Sequence, residues 1–368
     1  MTSCVRTVAA LLALCVIGLG GATAQTPVVT PEARARLEAQ VAEALKMQKL
    51  EEPGHGERLR TTAWQYSNLG LSGKARDTLA LVIAKPESDF DLAEAYRMSA
   101  QAALAMGDMK GAIGFWYEQL RVYDQRPGMK AAFSASYCGG VSSLATTLLV
   151  SGRLEEALAV NDRLLGPERA GYPEVVVTSA LVNRSTILSR MKRFAEAAAA
   201  YDDLFNSYPR YGVEDGSRLR MRLRRVDLIA PDANSPEHLA GLLELWNDPQ
   251  SGSSAWSLDL AICLSDALRG ANRTAEAIEV ERTALQRLDA RRDAWTATER
   301  SSPPGSRGVR EIRDLEVTLL SKLSGADAFG RPDAAMFALV RLLPMARSQL
   351  ERDSVNMEIA RVGARLGP

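Results

Sequence analysis

Five times along this chain a small residue is followed twelve positions later by alanine. The pairs are Ala63 and Ala75, Ala100 and Ala112, Ala145 and Ala157, Ser185 and Ala197, and Ser265 and Ala277. Five residues before each second member stands a turn residue: Gly70, Gly107, Gly152, Lys192 or Asn272. Glycine, and asparagine less readily, tolerates the left-handed backbone that closes a helix. Four residues after the alanine come Leu79, Trp116 and Tyr201, with the polar Asn161 and Glu281 as exceptions. Seven after it come Val82, Leu164, Leu204 and Ala284, with Gln119 as the exception. Such spacings put side chains on one face of a helix. Each unit therefore reads as two antiparallel helices joined by a tight turn. The small pair marks their crossing, where helix axes come to the short end of the ~8–10 Å range.

A small residue in the first helix, a turn glycine, an alanine in the second helix and a later proline (here Pro86 and Pro209) resemble the tetratricopeptide repeat. The resemblance covers about 57–285. The early first-helix aromatic of the family appears only as Tyr96, and the unit between 215 and 248 lacks the alanine phase. The alanines are spaced 37, 45, 40 and 80 residues, longer than the ~34 of the family repeat, so loops absorb the excess. The resemblance implies an all-α fold, a right-handed α-solenoid of helical hairpins with a C-terminal helical cap. An irregular helical bundle is the alternative. Hairpins are placed near 57–86, 92–122, 136–165, 174–206 and 255–288. The divergent unit consists of helices at 215–229 and 236–247, the second capped by Ser235 with Pro236 at its start.

The ends of the chain read differently. Residues 1–24 look like a secretory signal: Arg6, an apolar run over 8–19, and Ala22-Thr23-Ala24 as the cleavage site. That apolar run is shorter than the ~20 residues a membrane span needs. The mature chain is therefore expected to begin at Gln25 in the periplasm or beyond. A linker and an amphipathic helix at 31–50 (segment 25–52) precede the array at 53–300. Thr30 is placed as N-cap of that helix, and it covers the open face of the first repeat. The Ser/Pro/Gly run 301–308 reads as a flexible linker and 309–368 as a cap of three helices, broken at 325–332 and Pro344.

Chemistry is sparse. The formal net charge is zero, which offers no bulk attraction for nucleic acid or anionic membrane. The two histidines, His55 and His238, lack neighbours with metal-ligand spacing and read as structural or surface groups. No metal, cofactor or catalytic residue is expected. Cys138 and Cys263 sit three repeats apart in a solenoid, beyond the ~7 Å Cα separation of a disulfide, and are expected to be thiols. Arg218, Arg222 and Arg225 share a helix face. They form either an anion or carboxylate clamp or a face paired with nearby acids such as Glu214 and Asp215.

The resemblance also implies a function: a groove, lined by the first helix of each hairpin, that receives an extended peptide or partner helix. Its register puts Arg60, Trp64, Arg97, Gln101, Thr146, Asn183 and Thr186 on the groove wall, Asn183 matching a backbone-holding asparagine of groove-binding members. The lysines of the family's carboxylate clamp are absent. Trp116 is placed in the core. The chain thus reads as a non-catalytic protein-interaction scaffold of the periplasm, its partner a protein or peptide. The alternatives are a helical accessory domain of a cell-envelope enzyme and a glycan- or small-ligand-binding module.

Overall fold

The computed structural model describes residues 30–126, 128–209, 217–251, 257–300, 307–346 and 348–366, the side chains of 217, 292–300 and 307–312 excepted. The signal segment 1–24 and residues 301–306 of the expected linker lie outside the described residues. Among those described the chain is helical, without a strand. It divides into two compact units, one ending at Ala200 and the other beginning at Tyr201.

In the first unit, α1 (Pro31–Lys49) packs on the hairpin α2 (His55–Asn68) and α3 (Ser72–Ala84). The hairpins α4 (Asp89–Ala105) with α5 (Met109–Gln125), and α6 (Ser134–Val150) with α7 (Leu154–Asp162), follow. Next come α8 (Glu174–Arg190) and α9 (Phe194–Ser207), within which the division falls. As far as α8, contacts run from each helix to the next, and also directly between the first helices of successive hairpins, α2 with α4 and α6 with α8. Hairpins that touch only their neighbours are the mark of a repeat array. The helix α1 is capped as its sequence predicts, Thr30 Oγ1 accepting from the Ala33 N–H at 3.2 Å. Its Leu37 and Ala44 join Leu59, Ala63, Tyr66, Ala75, Leu79 and Val82 in one core.

The repeat grammar is realised residue by residue. All ten small residues of the five pairs are at most 1% exposed. All five turn residues have positive φ: Gly70 73°, Gly107 77°, Gly152 77°, Lys192 62° and Asn272 60°. Each turn is a Schellman motif. In the first, Leu71 N donates to Tyr66 O at 2.9 Å and Gly70 N to Ser67 O at 2.9 Å, which satisfies carbonyls the ending helix would leave bare. The residue after the turn opens the second helix. Arg153, Arg193 and Arg273 there each grip the glutamate three residues on, Glu156, Glu196 and Glu276, at 2.6–2.7 Å.

The apparent exceptions to the pattern are buried as deeply as the rule. Asn161, Glu281 and Gln119 are all 0% exposed. Asn161 Nδ2 donates to Ala180 O of the next hairpin at 3.0 Å, and Glu281 takes both oxygens to Arg269 at 2.9 Å and bonds Ser265 Oγ. Gln119 lies against Gly140, where an added Cβ would stand 2.4 Å from Gln119 Oε1. The longer spacings are taken up by a single helical turn at Met129–Ala132 and a 3-10 segment at Pro167–Gly171.

The second unit contains α10 (Ser217–Ile229) and α11 (Pro236–Asn247), then α12 (Ser257–Gly270) and α13 (Thr274–Arg300). Next come α14 (Arg307–Ser324), α15 (Pro332–Leu342) and α16 (Gln349–Leu366). Arg307 and Gly308, expected in the linker, belong to α14. The Arg/Leu alternation around Arg218 forms a helix, because Leu219 and Val226 then reach a common core with Leu242 and Leu245. The divergent hairpin keeps a small residue at its crossing, but it is Gly241: a Cβ there would meet Val226 Cγ1 at 2.9 Å. Ser235 caps α11, its Oγ accepting from His238 N at 3.1 Å. The tail helices continue the packing, α14 against both α13 and α12 and α15 against α14.

Candidate functional site

The helices α2 and α4 stand side by side because their small residues face inward. Ala63 and Ala100 are both 0% exposed, which leaves the opposite stripe of each helix for solvent. The entrances of the two helices are clasped together. Glu87, just before α4, accepts from Gly54 N at 2.7 Å and Gly56 N at 3.1 Å. A carboxylate on the free N–H groups and positive end of a helix is stabilising there. Ser88 caps α4 through Asp91 N at 3.1 Å.

Arg60, Thr61 and Trp64 from α2 and Glu94, Arg97 and Met98 from α4 line one cleft of about 280 Å³. Trp64 is 58% exposed, and its indole forms an apolar wall with Met98. The two guanidiniums are held from behind. Arg60 Nη2 donates to Asp91 Oδ1 at 2.6 Å, and the guanidinium stacks 5.5 Å from the Phe90 ring centre. Arg97 bonds Glu94 Oε2 through Nε at 2.8 Å and Gln101 Oε1 through Nη1 at 3.2 Å. Asp91 and Glu94 are buried, and their other oxygens accept from Ser88 Oγ and Ser136 Oγ. Four charges thus balance in two pairs, with every carboxylate oxygen bonded. Both arginines are fixed in place, because a buried carboxylate strongly disfavours losing its partner.

The structure therefore gathers Arg60, Trp64 and Arg97, with Gln101 attached through Arg97. Sequence reading named these and missed the acids beneath them, which lie three residues apart at Asp91 and Glu94 without any motif to mark them. The remaining groove residues are not part of the cleft. Thr146 and Thr186 turn their hydroxyls back to their own helices, onto Ser142 O at 2.8 Å and Val182 O at 3.0 Å. Asn183 is half-buried on α8. Trp116 is core, 1% exposed.

In the second unit the arginine stripe is engaged. Arg222 pairs with Asp248, whose carboxyl it holds below the usual range. Arg225 bonds both oxygens of Asp202, at 2.6 and 3.1 Å. Arg218 lies 4.7 Å from the Phe205 ring centre and donates to Tyr208 O at 3.3 Å; burial and then Arg222 lower its pKa. Its acids are thus Asp248 and Asp202, while Glu214 and Asp215 lie outside the described residues. His238 Nδ1 is 2.8 Å from Ala230 O and His55 Nδ1 is 3.0 Å from Glu52 O, so both histidines tie turns. Cys138 and Cys263 are thiols, and burial pushes that of Cys138 up to about 11. Among the described residues no cluster of metal-ligating groups occurs, and no helix is long and apolar enough to cross a membrane.

The five buried crossings and five left-handed turns decide the architecture. The fold is built of tetratricopeptide-like helical hairpins. No protein-family profile matches the sequence, and no curated protein matches it. Solved structures with a similar arrangement include the C-terminal part of a TPR repeat-containing protein from Cytophaga hutchinsonii. It is 9% identical, with 75% of this chain and 94% of that one covered and a TM-score of 0.49. A tetratricopeptide repeat protein from Parabacteroides merdae is 13% identical, with 83% and 98% covered and a TM-score of 0.42. BtubC from P. vanneervenii is 16% identical, with 74% and 95% covered and a TM-score of 0.42.

Proposed function

We propose that this chain is a non-catalytic interaction scaffold, exported to the periplasm, whose first unit captures a peptide or partner helix in the cleft between α2 and α4. The observation that carries this reading is Trp64, a large indole left 58% exposed between two guanidiniums pinned by buried acids. Tryptophan and arginine are the residue types most enriched at interface hot spots. The pinning of the two arginines means that their side chains lose little freedom on binding, which is what makes a surface pre-organised. The arginines have N–H groups to spare, whereas each oxygen of Asp91 and Glu94 already accepts. A partner that brings hydrogen-bond acceptors, such as backbone carbonyls, suits that balance.

The test is site-specific photo-crosslinking in cells. A photoreactive residue replaces Thr61 inside the cleft or Ala80 on the exposed side of α3. The cleft position should give a discrete protein adduct that Trp64→Ala weakens at least roughly tenfold, since a hot-spot truncation costs ~2 kcal/mol or more. Equal adducts at both positions, or adducts indifferent to Trp64→Ala, overturn the reading. Arg97→Ala is a poorer probe, because it also strips buried Glu94 of its partner.

A further inference from the structure

The cleft between α2 and α4 is rich in hydrogen-bond donors and poor in acceptors. Arg60 donates to Asp91, and Arg97 donates to Glu94 and Gln101. Each guanidinium carries more N–H groups than these bonds use, and the exposed indole of Trp64 brings another. The acceptors lie behind. The side chains of Asp91 and Glu94 are each 10% exposed. Both oxygens of each accept from groups of this chain, and Gln101 Oε1 accepts from Arg97. Of the residues lining the cleft, Thr61 keeps a hydroxyl and Met98 a weak thioether acceptor.

That imbalance selects among partners. An ordinary extended peptide presents an N–H for every C=O. Docked here, its carbonyls find donors, while its N–H groups leave water and gain nothing, which is costly. A partner helix has the opposite fault, because its carbonyls are already bonded within the helix except in the last turn. An acidic peptide gains little, since two buried acids already match the two arginines at 2.6 and 2.8 Å. Proline removes the difficulty, having a carbonyl and no N–H. A run of prolines forms a polyproline II helix, which has no internal hydrogen bonds and leaves its carbonyls free. Its apolar rings suit the wall made by Trp64 and Met98. Aromatic-lined grooves take such segments because they are ordered before they bind.

We propose that the cleft takes a proline-rich segment in the polyproline II conformation, its rings against Trp64 and its carbonyls on Arg60 and Arg97. This rests on the cleft being the capture site and adds the class of peptide it captures. The test is fluorescence anisotropy of the full chain with three labelled decapeptides: decaproline, alternating glycine-serine and alternating glycine-glutamate. Decaproline should bind at least roughly tenfold tighter than either of the others. Trp64→Ala should weaken decaproline at least roughly tenfold, with helix content unchanged by circular dichroism because the side chain is exposed. Excess unlabelled decaproline should also suppress the photo-adduct at Thr61 in envelope extract. No binding of decaproline, equal binding of all three peptides, tighter binding of the glutamate peptide, or decaproline binding indifferent to Trp64→Ala overturns the proposal. A Trp64-dependent adduct at Thr61 that decaproline does not suppress overturns the proline assignment alone and leaves the capture site standing. Absence of both the adduct and decaproline binding removes both.

Discussion

Lys192 and Asn272 hold the backbone conformation that three glycines hold in the sister turns, with φ of 62° and 60°. A side chain in that region costs roughly 1–2 kcal/mol through the clash of its Cβ with the following carbonyl. Glycine removes the clash but gives back part of the gain as freedom in the unfolded chain. Lys192→Gly should therefore stabilise by about 0.5–1 kcal/mol, with Asn272→Gly gaining less because asparagine tolerates the region better. Denaturant midpoints compared at constant slope check this, and an unchanged or lowered midpoint for Lys192→Gly would contradict it. At the same scale, the cleft shows why its acids were not legible. Asp91 and Glu94 look like ordinary polar residues of an amphipathic helix. Only the approach of α2 puts Arg60 within 2.6 Å of Asp91, and only the approach of α6 gives Glu94 the hydroxyl of Ser136.

Within a hairpin the crossing is the element that tolerates least. Ala157 is 0% exposed, while Ala159, two residues on, faces solvent. Ala157→Phe must push α6 and α7 apart, and overpacking of this kind costs ~1–3 kcal/mol. Ala159→Phe should cost little. Thermal melts of the two variants separate them, and equal melting temperatures would place the crossing elsewhere. The crossing of α10 and α11 follows the same physics with a different residue. Glycine at 241 lets Val226 approach closely, so the alanine phase is lost while the close approach is kept. Polar Asn161, Gln119 and Glu281 occupy apolar positions of the pattern and are buried there, Asn161 and Glu281 with partners on neighbouring helices that offset the cost of burying them.

For the whole molecule, the chain is two compact units meeting at 200/201, and the expected array 53–300 extends into both. The proposed compartment belongs to this scale too. Intact mass of the exported protein should correspond to a chain beginning at Gln25, the residue after Ala22-Thr23-Ala24. A retained 1–24 segment would contradict that.

Much of the architecture was written in local spacing. Helices, turns and crossings depend on residues within about fifteen positions of one another, so a twelve-residue interval and a turn residue suffice to declare them. The family resemblance, laid on that spacing, is what implied Trp64, Arg60 and Arg97 as groove-wall residues of first helices. Partnership is different. Whether Arg222 is a free clamp or the partner of Asp248, whether Thr186 faces a ligand or its own helix, and which acids pin the cleft depend on distances across helices. Those distances are set by the packing of whole hairpins, and only the tertiary structure decides them.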